Sequence, residues 1–328
     1  MVDTLLNETL LMNGTNGSLD NSLNGTMSIH EQSSQCLPSW VLNAIGVKSV
    51  YASDIAVAIV NISFAIFAFL SNLAVIATII RTPSLHAPVN VLLCGLAAAD
   101  CLTGLVVQPV YASWRFLLHH LGEPCRLVHL YQASRSLPFL FVGCTFLNLA
   151  ITSADRLYAV SRPLAYRTAV TSRGMTKIVV SAWVVWIIYI CLMETVVPKA
   201  IYEPMENITL TLLIIIPVGG HILTFLAIRT NNRKILCTTH NLQHATLYKR
   251  ALKAAGDMAF YIVATLLSLV PLVILLNFEN SVIVGNLLFP WAATATMLVS
   301  SVNPVIQIRR NTALREALKT VFKRTTVE

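Results

Sequence analysis

The sequence predicts an all-α membrane protein: a seven-transmembrane helix bundle followed by a C-terminal amphipathic helix. Three observations carry that expectation. Of 328 residues, 55% are hydrophobic and only 12% charged, where a soluble domain carries roughly a quarter charged residues. The apolar residues fall in seven long blocks, each near the ~20 residues that cross a bilayer as a helix. Basic residues gather in alternate loops between those blocks, and so on one side, the asymmetry that orients a chain in a membrane. The net charge of +8 therefore reads as topology, and no nucleic-acid partner is expected.

Residues 1–50 are polar and rich in Asn, Gly, Ser and Thr, without the apolar core of a cleavable leader. They carry glycan acceptor triplets at Asn7, Asn13, Asn16 and Asn24, which points to an extracellular tail. A further triplet at Asn61 lies inside the first block and is set aside. The blocks run Ser53–Ile80, Pro88–Tyr111, Tyr131–Tyr158, Ile178–Val197, Ile208–Ile228, Ala251–Leu276 and Ser281–Ile306. Helices are the open-ended way to satisfy backbone groups in lipid. The short loop Pro198–Asn207 precedes the fifth block and holds one more triplet, at Asn207.

The loops assigned to the inside carry Arg81, then Arg162, Arg167, Arg173 and Lys177, then Arg229, Arg233, Lys234, Lys249 and Arg250. The opposite side has little besides Lys48, Arg115, Arg126 and Lys199. Charge and glycan triplets thus agree on a multi-pass chain with its N-terminus outside and its C-terminus inside. Three regions follow: a glycosylated outer tail (1–50), a membrane domain (51–307) and a cytoplasmic end (308–328). In that end, Ile308, Leu314, Leu318 and Phe322 fall on one face of a helix whose other face is basic. It reads either as a helix lying on anionic membrane lipids or as a helical tail without membrane contact.

Of seven cysteines, Cys94, Cys101, Cys144 and Cys191 fall inside blocks and read as small packing residues. Cys237 lies in a basic loop. Cys36 and Cys125 remain as the pair able to face an oxidising compartment.

The stretch Leu147–Tyr166, LNLAITSADRLYAVSRPLAY, organises the rest. A long apolar block ends in Asp155-Arg156, which is either an ion pair at the lipid boundary or a cytoplasmic switch. Asp100 is a lone carboxylate in mid-block, where an ionisable residue needs a partner. Pro217, Pro271 and Pro304 lie inside blocks, where proline bends a helix and frees backbone carbonyls.

Taken in order, these motifs resemble the rhodopsin-like (class A) G protein-coupled receptors, over about residues 53–322. Ser71-Asn72-Leu73 matches the Gly-Asn element of the first span, and Leu96-Ala97-Ala98-Ala99-Asp100 the Leu-Ala-x-x-Asp element of the second. Asp155-Arg156-Leu157 stands for Asp-Arg-Tyr, Trp183 for the fourth-span tryptophan, and Asn303-Pro304 opens the seventh-span motif. The resemblance implies a plasma-membrane receptor that passes an extracellular signal to heterotrimeric G proteins, with arrestin as a further cytoplasmic partner. Asp155 would hold Arg156 at rest and release it when the sixth helix moves outward. Leu164 and Tyr166 match the second cytoplasmic loop, where Leu164 is a G protein anchor or a residue packed on its own receptor. The resemblance implies no cofactor beyond a sodium ion at Asp100, with Thr145, Ser300 and Asn303 as neighbours. The alternative there is a neutral, hydrogen-bonded Asp100.

Departures from the pattern cluster in the relay. Ser268-Leu269-Val270-Pro271 replaces Cys-Trp-x-Pro, and Thr265 replaces a phenylalanine one turn earlier. Phe225 and Gln307 replace the two tyrosines that stabilise the active form. Ala251 stands where an acid commonly faces Arg156, and Asp257 is a possible substitute or a partner of Lys253. The brief loop after the fourth span lacks the usual cysteine, a feature shared with melanocortin, lysophospholipid and cannabinoid receptors. The PLAYRTAV run is similar to melanocortin and adenosine receptors. A Cys36–Cys125 bridge would pin the tail over the pocket, and two free thiols are the alternative.

For the ligand, the resemblance works by exclusion. Pro138 stands where amine receptors keep an aspartate, and Met297 where visual pigments carry the retinal lysine. A typical monoamine and retinal are thus disfavoured, leaving small-molecule, lipid or peptide ligands. Arg135, one turn outward of Pro138, either binds an anion, snorkels to headgroups or pairs with Glu194. His119-His120 lacks a third metal ligand and reads as ordinary loop. A ligand-silent or constitutively active receptor is the nearest alternative. A transporter would show inverted repeats, and an enzyme a buried catalytic cluster; His221 has no evident partner for one.

Overall fold

The computed structural model describes residues 36–121, 123–238, 263, 266, 267, 269–275, 278, 281 and 283–325. Among them the backbone is overwhelmingly helical and contains no strand. The helices are α1 (Lys48–Arg81), α2 (Pro88–Leu117), α3 (Val128–Ser161), α4 (Ser172–Val196) and α5 (Lys199–Thr238). A described helical piece, α6, covers residues 269–275. After it come α7, a π-helical turn Val284–Leu288 continued by Phe289–Arg310, and α8 (Thr312–Thr325). Five helices among the described residues are long and apolar enough to cross a membrane, the fifth over Pro204–Thr230. Most of the sixth block lies outside the described residues, with Ala251, Lys253, Asp257, Thr265 and Ser268, as do Asn7, Asn13, Asn16 and Asn24.

The helices outrun their apolar blocks. The 34 residues of α1 make a rod of about 50 Å at 1.5 Å per residue, well beyond the ~30 Å hydrocarbon core. Hydropathy marks only the lipid-immersed part. Local chemistry sets several ends: Pro88 opens α2 at its first turn, and the Thr171 hydroxyl caps α4 by accepting from Gly174 N at 3.1 Å.

Two boundaries differ from the sequence reading. The expected loop Pro198–Asn207 is largely the first turns of α5, so Asn207 sits half-buried on a helix. The hydroxyl of Thr209, which completes its triplet, lies 2.9 Å from Tyr189 Oη. The amphipathic end begins later than Ile308, because Asn311 is extended and breaks the helix. Its Oδ1 then accepts from Leu314 N at 3.1 Å, capping α8.

The central helix is α3, packed on α2, α4 and α5, while α1 packs on α2 and α7. The main apolar core gathers Leu96, Phe139, Phe146, Leu149, Trp186 and Leu269. At Gly143 an added Cβ would stand 2.2 Å from the Trp186 ring, so only glycine lets α3 and α4 approach this closely. Large apolar side chains such as Ile59, Ile66, Leu70, Ile188 and Ile215 are exposed around the outside, the surface a lipid-facing bundle presents. Leu314 of α8 is buried against Val75, Ile79 and Leu93, docking that helix under α1.

At the opposite end, residues 36–47 form a cap. Leu37, Trp40 and Val41 are buried against Trp114, Leu118 and Leu127. Gly46, at φ 88°, turns the chain from this cap into α1.

Candidate functional site

Three sites stack along the bundle. At the end remote from the cap, Arg156 donates from Nε to Asp155 Oδ2 at 2.9 Å and from Nη2 to the same oxygen. Tyr166, on the seven-residue helix Pro163–Ala169, donates to Asp155 Oδ1 at 2.8 Å and accepts from Arg156 Nη2 at 3.3 Å. Both carboxylate oxygens are therefore engaged, and a buried Asp155 holds a nearly buried Arg156. Burial, foremost, pushes the Tyr166 phenol up to about 12, so it remains a donor. Leu164 beside it is 74% exposed.

In the middle, Asp100 accepts from Ser300 Oγ at 2.8 Å and from Asn303 Nδ2 at 2.7 Å. Thr145 lines the same small cavity, with Met297. Asn303 Oδ1 is buried without a hydrogen-bond partner among the described residues. A carboxylate, two hydroxyls and an orphaned amide oxygen around one cavity suit a hard cation.

Toward the cap lies a larger open cavity. Trp40, Arg115, Arg135, Pro138, Glu206 and Leu269 are among its walls. Of the residues the sequence nominated for a ligand pocket, Arg135, Pro138 and Leu269 line it. Met297 does not; it turns to the Asp100 cavity instead. Pro138 and Val142 line both spaces, so one turn of α3 separates them. Cys36 and Cys125 form a disulfide with Cα atoms 5.4 Å apart, tying the cap to the chain just before α3. On the rim, Glu194 accepts from Ser136 at 2.5 Å and from Tyr202 at 2.9 Å. Burial, then the Glu206 and Glu194 carboxylates, raise the Tyr202 phenol, which stays protonated for that bond.

The prolines sit inside helices: Pro138 in α3, Pro217 in α5, Pro304 in α7 and Pro271 in α6. Ser153 Oγ donates to the Pro217 carbonyl at 3.2 Å, bracing α5 against α3. Phe225 is 57% exposed, outward from the bundle. Gln307 is buried, and neither end of its amide has a hydrogen-bond partner among the described residues.

Sequence reasoning missed one cluster. Asp54, Arg115 and His119 meet near the cap, with side chains 0%, 4% and 3% exposed. Arg115 belongs to α2 and His119 is nearly buried; neither is the ordinary outer-loop residue expected. The available signal was Asp54 itself, a carboxylate just inside an apolar block.

Comparison with known proteins adds the family. A profile for the 7 transmembrane receptor (rhodopsin family) matches residues 71–306. Trace amine-associated receptor 7d of Rattus norvegicus is 35% identical over 132 residues, 38% of this chain and 34% of that receptor. Trace amine-associated receptor 7f of Mus musculus is 34% identical over 132 residues, again 38% of this chain and 34% of the relative. Dopamine receptor 2 of Drosophila melanogaster is 33% identical over 113 residues, 34% of this chain and 20% of the relative. The aligned stretch thus spans about a third or less of each relative's own length. The profile match covers well over half of the chain, across the Asp100, Asp155-Arg156 and Asn303-Pro304 motifs, and the chain belongs to the rhodopsin family of seven-transmembrane receptors.

Proposed function

We propose that the chain is a plasma-membrane receptor that converts ligand binding in the cap-side cavity into engagement of a heterotrimeric G protein at Arg156. Its N-terminus lies outside the cell and its C-terminus inside, with arrestin a second cytoplasmic partner. One observation carries the reading: a closed Asp155–Arg156–Tyr166 cluster beside an exposed Leu164, at the far end from a capped cavity. At rest, Asp155 and Tyr166 hold the guanidinium. Outward movement of α6 frees Arg156, and Leu164 supplies an apolar anchor to the partner. The work is population shift between two states rather than covalent chemistry.

Asp100, Thr145, Ser300 and Asn303 would hold a sodium ion, which supplies positive charge against the Asp100 carboxylate. Asn72 steadies that site by donating to the Ser300 carbonyl at 2.9 Å. The relatives are named for trace amines and dopamine, but Pro138 offers an amine no counter-charge. The cavity is chiefly apolar and aromatic, with Arg135 and Glu206 on its walls. That lining suits an amphipathic small molecule, lipid or peptide segment.

A second reading is favoured by Trp40, which the chain itself places over the cavity: the receptor signals without a diffusible ligand. Second-messenger output in cells, with and without a ligand library and beside Arg156→Ala, tests both. Signal that survives Arg156→Ala unchanged would overturn the proposed switch.

A further inference from the structure

The buried Asp54 cluster lies outside everything assigned so far. His119 Nε2 donates to Asp54 Oδ2 at 2.7 Å, and Arg115 pairs with the other carboxylate oxygen. Arg115 Nη2 also donates to the Asn286 carbonyl of α7 at 3.1 Å, and Asn286 Nδ2 donates to the Trp40 carbonyl of the cap at 2.9 Å. One chain of polar contacts therefore runs from α1 through α2 and α7 to the cap. We propose that Asp54, Arg115 and His119 form a proton-binding site, through which extracellular acidity is a second input to the receptor.

The geometry shows what a proton would do. With His119 neutral, one carboxylate and one guanidinium balance, and the imidazole only shares a hydrogen. A proton from the bathing medium, taken up at Nδ1, makes His119 a cation on the same carboxylate as Arg115. The cluster passes from net zero to net positive, and two buried cations compete for one anion. Arg115 is the competitor with somewhere to go, because it lines the open cavity. Its loosening acts on both the cap, through Asn286 and Trp40, and the charge that a ligand meets.

His119 is the one imidazole within hydrogen-bond reach of Asp54 among the described residues. Tyr51 of α1 meets the His119 ring edge-on at 5.3 Å. Tyr111 of α2 lines the same cavity as Arg115. His120 is exposed; its ring stacks on Phe116 and lies 6.0 Å from Tyr51. From α7 and the cap come Asn286 and Trp40, which do not titrate. Imidazole is the side chain whose ordinary charge change falls between about pH 5 and 8.

The experiment uses the full chain as wild type, His119→Gln and His120→Gln. Gln at 119 keeps a donor near Asp54 and cannot take the charge. Thermal stability of purified protein, read by a thiol dye on the buried cysteines, is followed between about pH 5 and 8. The wild-type minus His119→Gln difference should change with pH across that range, while His120→Gln tracks wild type. A constant difference would overturn the proton site. This arm does not depend on signalling and so stands apart from the receptor reading.

In cells, wild-type basal output per surface receptor should change by at least about fivefold across the same range, the low end of coupling between linked sites. His119→Gln should flatten that response. Flat wild-type output would overturn acidity as an input, even if His119→Gln fails to reach the surface. Equal pH responses in wild type and His119→Gln would overturn it too.

Discussion

Replacing Tyr166 by Phe tests the resting switch with one atom. The hydroxyl donates to Asp155 at 2.8 Å and accepts from Arg156 at 3.3 Å. Its phenol is pushed up to about 12, chiefly by burial, so the donor is present throughout the physiological range. The ring meets Tyr158 at 5.9 Å, and Phe keeps that contact, so packing is nearly unchanged. A hydrogen bond to a charged group contributes about 1.5–3 kcal/mol. Tyr166 itself is only half-buried, so the low end applies, and each 1.4 kcal/mol is about a tenfold change in an equilibrium constant. If the active state is a minor one, near ~1% of the population, Tyr166→Phe should raise basal output by roughly tenfold. The assay is basal second-messenger output normalised to surface receptor, with Arg156→Ala as the floor. Basal output at or below wild type, at equal surface expression, would refute the idea that this hydroxyl helps hold Arg156.

Four further outcomes follow from packing and charge. Gly143→Ala forces a methyl to 2.2 Å from a Trp186 ring that is itself bonded to the Leu140 carbonyl at 2.9 Å. Overpacking of this kind costs about 1–3 kcal/mol, seen as a lower melting temperature. Gly219→Ala, with nothing within 4 Å of the new Cβ, should leave stability within about 1 kcal/mol of wild type. Cys36→Ser with Cys125→Ser opens a disulfide across 89 residues of sequence and should cost about 2 kcal/mol, the low end for a native bridge because the membrane already confines the helices. Wild type should be more thermostable in sodium chloride than in choline chloride at equal ionic strength, and Asp100→Asn should abolish the difference. Equal salt responses in the two proteins would argue against a cation at Asp100.

The spans and the Asp155, Asp100 and Pro304 motifs were legible because each is written in contiguous residues. What escaped was written across distance. Asp54, Arg115 and His119 each look like the ordinary charge at a span's edge, and only folding brings them within hydrogen-bond reach. The start of α5 was misread for a local reason: Pro198, Pro204 and nearby acids look like a loop. Yet Pro204 forfeits only one bond near a helix end. The Asn311 break was hidden by a coincidence of packing. Ile308 before it and Leu314 after it join the same apolar cluster, so the helical spacing reads through the kink. Met297 lines the Asp100 cavity and not the capped one, because a sequence position fixes depth and face only approximately. One turn of α3, at Pro138, separates the two spaces.

On the proposed reading, the interior offers two routes between cavity and switch, and they respond to different stimuli. Leu269 and Phe139 line the cavity and belong to one apolar core that includes Phe146 and Leu149, with Ile306 packed against it. A close-packed core yields to shape, so a ligand pressing on Leu269 acts by displacement even though the tryptophan of the usual pattern is absent. Along α1, α2 and α7 runs a polar seam instead. Three separate polar groups make it up: the Asp54 cluster, Asn61 donating to Thr294 at 2.9 Å, and Asp100 with Ser300 and Asn303. Gln108 is wholly buried, and both ends of its amide lack a hydrogen-bond partner among the described residues. Polar groups in a low dielectric answer to charge, so a proton at His119 or a cation at Asp100 acts here. The two routes converge on α7, where Asn303 ends the seam and Ile306 touches the core. Gln307 follows directly, buried and unpartnered where the family pattern has a tyrosine. An amide in that place can change hydrogen-bond partners without ionising.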